Sequence, residues 1–178
     1  MSLSSVGLLL ALFSAVSWGI GDFAGGLASR RSTVLAVLAA TQLIGVCVAM
    51  VALSLSGEEP PPQHALALAA IAGLAGVMGL AAFYAALAVG PMSLVAPAVA
   101  VIGAALPAAV GLLGGETLTA AQLAGLAAAV VAVGMVSGAG NRRSLCTVQP
   151  AAFARTATAG LSFATLFVLI DVMAAAGG

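Results

Sequence analysis

Six continuously apolar stretches, each about 20 residues long, occupy most of this chain of 178 residues. Only 6% of the residues are charged and 63% are hydrophobic, whereas soluble domains contain about 25% charged residues. Such a chain cannot cover a globular surface with polar groups, and disorder requires the opposite composition. Because about 20 apolar residues are enough for a helix to cross a bilayer, the sequence predicts a multi-pass protein of the cell membrane, with the lipid bilayer as its solvent.

Short polar or proline-containing segments separate the six predicted spans. Backbone groups in lipid must be hydrogen-bonded within the protein, so only helices and closed barrels cross a membrane. Barrel strands alternate apolar and polar residues over about ten positions, and these stretches are longer and apolar throughout. The predicted fold is therefore all-α, a polytopic transmembrane helix bundle. We expect the spans at about residues 3–28, 34–55, 65–89, 94–114, 120–138 and 156–178.

Several function classes are disfavoured by the residues that the sequence lacks. The five basic residues are all arginine and are balanced by five acids, so there is no basic surface for nucleic acid. His64 is the single histidine, and Cys47 and Cys146 form no CxxC pair. No catalytic triad, metal-ligand spacing or phosphate-binding loop is recognisable. The sequence predicts no enzymatic activity, no metal and no cofactor.

Small residues and prolines lie within the predicted spans. Gly73, Gly76 and Gly79 recur on the third span, and small residues let membrane helices approach closely. Pro107 lies in the middle of the fourth span, where it should kink the helix. Kinked helices often line transport pathways, although proline is also common in membrane helices without such a role. Because of the expected kink, Pro107 is a candidate pathway residue.

Particular motifs resemble the EamA domain of the drug/metabolite transporter superfamily. Residues 85–97 (AALAVGPMSLVAP) resemble the junction between the third and fourth helices of that domain, and Trp18-Gly19 resembles the WG pair of its first helix. The resemblance extends over about residues 3–138. The residues that resemble the fourth and fifth helices of the family are Pro107, the segment 115–119 (GETLT), Gln122, Gly125 and Gly134.

The resemblance implies a ten-helix transporter built from two inverted five-helix repeats. In that scheme residues 1–140 form the first repeat, residues 141–155 are a polar linker, and residues 156–178 form the first helix of an incomplete second repeat. The implied function is uptake or efflux of small metabolites or drugs by alternating access. We expect transport to be driven by an ion gradient, because the sequence has no nucleotide-binding motif. Protons are the candidate coupling ion.

A different class of function stays open at this point. The sequence holds one repeat and one further span, which favours, as an alternative, a non-transporting membrane fragment or an assembly subunit. On this view we expect the 178-residue chain to self-associate or to be unstable rather than to work as a monomer.

Asp22 is the strongest candidate for a transport residue. Ionisable residues inside membrane helices are costly and usually face the bundle interior or a pathway. A shift of the sequence by 149 positions aligns Asp22 with Asp171 and Trp18 with Phe167, as an internal repeat would. We expect Asp22 to bind a proton or a cationic group, although an interfacial position near the helix end is the plainer alternative. The predicted pathway residues are Trp18, Asp22, Tyr84, Pro107 and Asp171. For Tyr84, near the C-terminal part of the third span, a packing role or an interfacial anchor is an equal alternative.

The membrane orientation has two opposing indications. All five arginines follow the first and fifth spans, at positions 30, 31, 142, 143 and 155, and the positive-inside rule puts this side in the cytoplasm. The family resemblance implies a cytoplasmic N-terminus, which puts the same side outside. We favour the family orientation.

Overall fold

The computed structural model describes residues 3–57, 62–115, 117, 119–139 and 150–177, and it is helical throughout apart from the turns. No strand occurs among these residues, which confirms the predicted all-α bundle. The six helices are α1 (Leu3–Ser29), α2 (Val34–Ser56), α3 (Gln63–Val89), α4 (Met92–Leu113), α5 (Ala120–Ala139) and α6 (Pro150–Gly177).

Five of the helices are long and apolar enough to cross a membrane, namely α1, α2, α3, α4 and α6. In α5 the apolar stretch among the described residues, Ala120–Val133, is shorter. Large apolar side chains cover the outside of the bundle, with Phe13 73% exposed and Leu113 90% exposed. A surface of this kind suits hydrocarbon rather than water, so the chain is a multi-pass membrane protein.

Helix α6 begins at Pro150, six residues before the expected start at residue 156. Proline is favoured at the first helical position because its missing N–H has no partner there and its φ already suits a helix. The alanines that follow are strong helix formers. Residues 150–155 are therefore helical, and the other expected linker residues, 141–149, lie outside the described residues.

The start of α5 contains a capping box formed by Thr119 and Gln122. The Thr119 backbone N–H donates to the Gln122 side-chain oxygen over 2.8 Å, and the Gln122 N–H donates to the Thr119 hydroxyl over 3.3 Å. Both bonds satisfy backbone donors that a helix start leaves open. At the end of α2, Gly57 adopts a left-handed conformation with φ 66°, which glycine tolerates better than other residues.

The core lies where α6 packs against α3 and α4. Its buried centre includes Phe83, Leu87, Val99 and Phe163. Glycines permit the close approach: a Cβ on Gly79 would lie 3.1 Å from the Phe163 ring. Gly76 faces Leu166 of α6 in the same way, whereas nothing lies within 4 Å of a Cβ on Gly73. Two of the three predicted packing glycines on α3 therefore make helix contacts.

Two arginines converge on the C-terminal end of α3. Arg30 follows α1 and donates to the carbonyls of Leu87 (3.1 Å) and Gly90 (2.9 Å). Arg155 lies in the second turn of α6 and donates to the carbonyl of Ala85 over 3.2 Å. The carbonyls of Leu87 and Gly90 follow Ala86, which accepts the Gly90 N–H at the end of α3. The C-terminal end of a helix carries partial negative charge, so both cations are favourable here. They fasten α1 and α6 to the same end of α3.

Replacement of Arg30 by glutamine is expected to lower the free energy of unfolding by about 1 kcal/mol, because two charge-assisted hydrogen bonds are lost at a partly exposed site. Thermal unfolding in detergent micelles measures the change. The matched control is Arg31→Gln, which removes the same charge from an exposed neighbour. Equal destabilisation by the two variants would contradict the role of Arg30 at the end of α3.

Candidate functional site

Helix α1 contacts the rest of the bundle chiefly near its C-terminal end. Gly25 and Gly26 are buried, whereas residues 6–21 are all exposed. A Cβ on Gly25 would overlap the Tyr84 ring, and a Cβ on Gly26 would lie 2.7 Å from Leu87. This close approach, together with Arg30, holds one end of α1 against α3. Toward its N-terminus the side of α1 is left open, and a cleft forms there.

Three neighbouring cavities surround this part of α1. The largest has a volume of about 740 Å³ and is lined by residues of α1, α2, α3 and α6. Two smaller cavities, of about 260 and 330 Å³, extend toward α4. Asp22 lines all three cavities. The half-buried carboxyl of this residue therefore stands where the cavities meet.

Aromatic rings form much of the wall of these cavities. Trp18, Tyr84 and Phe163 line the largest cavity, and Phe83 lines both smaller ones. The Phe83 ring packs edge-on against Phe163 with centroids 6.2 Å apart and tilts against Tyr84 at 6.1 Å. Edge-to-face pairs at these distances are favourable. The buried aromatic cluster of α3 and α6 thus fixes one wall of the cleft.

Polar side chains of α1 and α2 line the opposite part of the largest cavity. They are Ser17, Thr41 and Gln42. The Thr41 hydroxyl donates to the Leu38 carbonyl over 2.9 Å, which leaves its oxygen lone pairs able to accept a hydrogen bond. Thr41 and Gln42 are not among the predicted pathway residues. Their signal was available, because adjacent polar residues inside a 23-residue apolar helix are unusual in a membrane.

Asp22 is the single charged residue among those that line the three cavities. Arg30 lies eight residues farther along the chain, about 12 Å at 1.5 Å rise per residue, and it is engaged by α3. No group of His, Cys, Asp or Glu that could hold a metal ion occurs within the described part of the chain. The electrostatics of the cleft are therefore those of one carboxyl group in apolar and neutral polar surroundings.

The structure brings together three of the five predicted pathway residues. Trp18, Asp22 and Tyr84 line the largest cavity. Pro107 lies on α4, which continues as a helix through it, and Asp171 is exposed on α6. Neither Pro107 nor Asp171 lines the three cavities around Asp22. A role for these two residues in transport stays a prediction.

The fold and the cleft define a class: a polytopic helical membrane protein with a cleft between its helices. The sequence model of the EamA-like transporter family matches residues 5–138, which is most of the chain. The chain thus belongs to the EamA-like transporter family, whose members are membrane transporters of small molecules rather than enzymes. This confirms the resemblance seen in the motifs. No curated protein and no solved structure matches the chain.

Proposed function

We propose that this chain moves small molecules across the membrane by alternating access, with Asp22 as the group that binds a proton or a cationic cargo. The observation that carries the proposal is the position of Asp22, the one charged side chain lining three adjoining cavities between helices. A charge in a membrane helix is energetically costly, so charged residues there usually have a function or an oppositely charged partner. A carboxyl in an accessible cleft can be neutralised by protonation or by a bound cation.

The way α1 is attached to the bundle suits a helix that moves during transport. One end of α1 is held by Gly25, Gly26 and Arg30. Residues 6–21 are exposed, and Ser17, Trp18 and Gly21 among them border the cleft. Rocking of α1 about this attachment would change access to Asp22 without breaking the α3–α6 core. Binding or loss of a proton at Asp22 would favour one of the two positions, which would couple transport to a proton gradient.

We also propose the domain arrangement of an inverted-repeat transporter. Residues 1–140 would be one five-helix repeat, and α6 the first helix of a second, joined by the polar linker. The packing of α6 against α3 and α4 supports this proposal, since inverted repeats bind cargo at the interface between them. Helices of a second repeat or of a second copy of the chain would complete the pathway.

Alternating access is testable without knowledge of the cargo. A single cysteine at position 41, in a chain with Cys47→Ser and Cys146→Ser, is treated with a membrane-impermeant thiol reagent in right-side-out and inverted vesicles. We expect labelling of Thr41→Cys from both sides, with a ratio of the two rates that changes with pH. Thr41 is suitable because it lines the cleft and is partly buried.

The matched control is Leu43→Cys, two residues along the same helix. Leu43 is 67% exposed on the apolar outside of the bundle, so it should be labelled from neither side in a bilayer. Labelling of position 41 from one side only would contradict alternating access and would favour the alternative of a non-transporting fragment or assembly subunit. Two-sided labelling without any effect of pH would contradict proton coupling alone.

A further inference from the structure

We propose that the cleft around Asp22 selects monovalent organic cations that carry an aromatic group, of the arylalkylammonium kind. The inference rests on the proposed function, because it takes the cleft as the place where cargo binds. It goes further by naming the chemical class that the lining residues can hold. Three features of the cavity lining support the proposed ligand class: the sign of its charge, its aromatic rings and its neutral polar groups.

The charge of the lining excludes anions. Asp22 is the one ionisable group that lines all three cavities, and no arginine or histidine lines any of them. A carboxylate or phosphate ligand would meet a like charge in surroundings that screen charge less well than water. No positively charged residue lines the cavities beside Asp22. A ligand cation would supply that positive charge. The single carboxyl matches one positive charge rather than two.

The aromatic rings favour a cation that also has an apolar face. Trp18, Tyr84 and Phe163 line the same cavity as Asp22. Cations bind the faces of such rings when they lie within about 6 Å of the ring centre, and tryptophan is the most favourable. The same rings provide stacking surface for an aromatic group of the ligand. An inorganic cation has no apolar face that could stack on these rings.

The size and the polar residues of the largest cavity suit a small amine. Its volume of about 740 Å³ lies within the range of about 300–1,000 Å³ that is typical of small-molecule sites. Ser17, Thr41 and Gln42, each of which has a side-chain oxygen, line it. These oxygens can accept hydrogen bonds from a primary ammonium while Asp22 balances its charge.

The single tryptophan of the chain makes binding measurable without transport. Trp18 is the sole tryptophan and it lines the cavity with Asp22, so its fluorescence reports on occupancy. The purified 178-residue chain in lipid nanodiscs is titrated with 2-phenylethylammonium, 2-phenylethanol and 3-phenylpropionate at pH 7. The three probes share the phenyl group and differ in charge. We expect the cation to bind about tenfold or more tightly than the alcohol, and the anion least.

Two variants separate charge from shape. Asp22→Asn should weaken binding of 2-phenylethylammonium about tenfold or more and leave that of 2-phenylethanol unchanged, whereas Asp22→Glu should retain the preference for the cation. If Asp22→Asn does not fold, the three probes on the unaltered chain still decide the matter. Equal affinity for the cation and the alcohol, or tighter binding of the anion, would overturn the proposed selectivity.

The binding result and the accessibility result are independent of each other. Selective binding of the ammonium with one-sided labelling of position 41 would support the cargo class and reject alternating access. Two-sided labelling without a preference for the ammonium would support alternating access and reject the cargo class.

Discussion

Asp22→Asn is expected to abolish the pH dependence of access to the cleft. Asparagine has nearly the same shape as aspartic acid but cannot take up or release a proton, so the two positions of α1 would no longer differ in proton affinity. We expect the ratio of labelling rates at Thr41→Cys to become independent of pH. Exchange between the two accessible states should slow by about tenfold, which corresponds to ~1.4 kcal/mol.

The conservative variant Asp22→Glu provides the control, because it keeps an ionisable carboxyl one methylene farther from the backbone. It should retain a pH-dependent ratio, with a shifted midpoint. Gel filtration of both variants in detergent establishes that the fold is intact. A normal pH dependence in Asp22→Asn would remove Asp22 from the coupling mechanism and would leave it as an interfacial residue.

Gly160→Leu is expected to cause a large loss of stability. Gly160 lies on α6 where that helix meets α4, and an ideal Cβ there would lie only 2.6 Å from Ile102 Cβ. A leucine would force the two backbones apart and disturb the packing of Phe163 beside it. We expect the free energy of unfolding to fall by about 3 kcal/mol and the midpoint of thermal unfolding by about 5–10 °C.

The matched control places the same leucine side chain on the outside of α6. Ala154 is exposed on that helix, and Ala154→Leu should leave the midpoint nearly unchanged in detergent. The comparison is conservative, since replacing glycine inside a helix by itself favours the helix by up to about 1 kcal/mol. Similar midpoints for the two variants would show that α4 and α6 do not approach each other at Gly160.

The helices themselves were predictable from the sequence because their causes are local. Length and apolarity dictate a membrane helix wherever about 20 such residues follow one another. The predicted start of α5 at residue 120 is confirmed because Thr119 and Gln122 specify a capping box within four residues. Helix α6 begins at Pro150 rather than at about residue 156, and it contains Arg155 of the predicted linker. In the structure its side chain reaches a carbonyl of α3.

The candidate site was predictable only in part. Asp22 stood out because a charge within an apolar span is unusual, and Trp18 stood out through its motif. Thr41 and Gln42 also stand out as adjacent polar residues in an apolar span, but their position beside the Asp22 cavity comes only from the packing of α2. The packing of Tyr84 against Gly25 likewise has no signal in the sequence.

The bundle of membrane helices, and the ends of most of those helices, follow directly from the sequence. Which faces of the helices meet depends on the packing in three dimensions. In a soluble protein an apolar stripe marks the buried face of a helix, but in lipid the outside is as apolar as the inside. Contacts are then set by shape: Gly25 admits the Tyr84 ring, and Gly160 admits Ile102. That fit between small and large residues holds one end of α1 against α3. The rest of α1 has no such fit, and the cleft at Asp22 lies beside it.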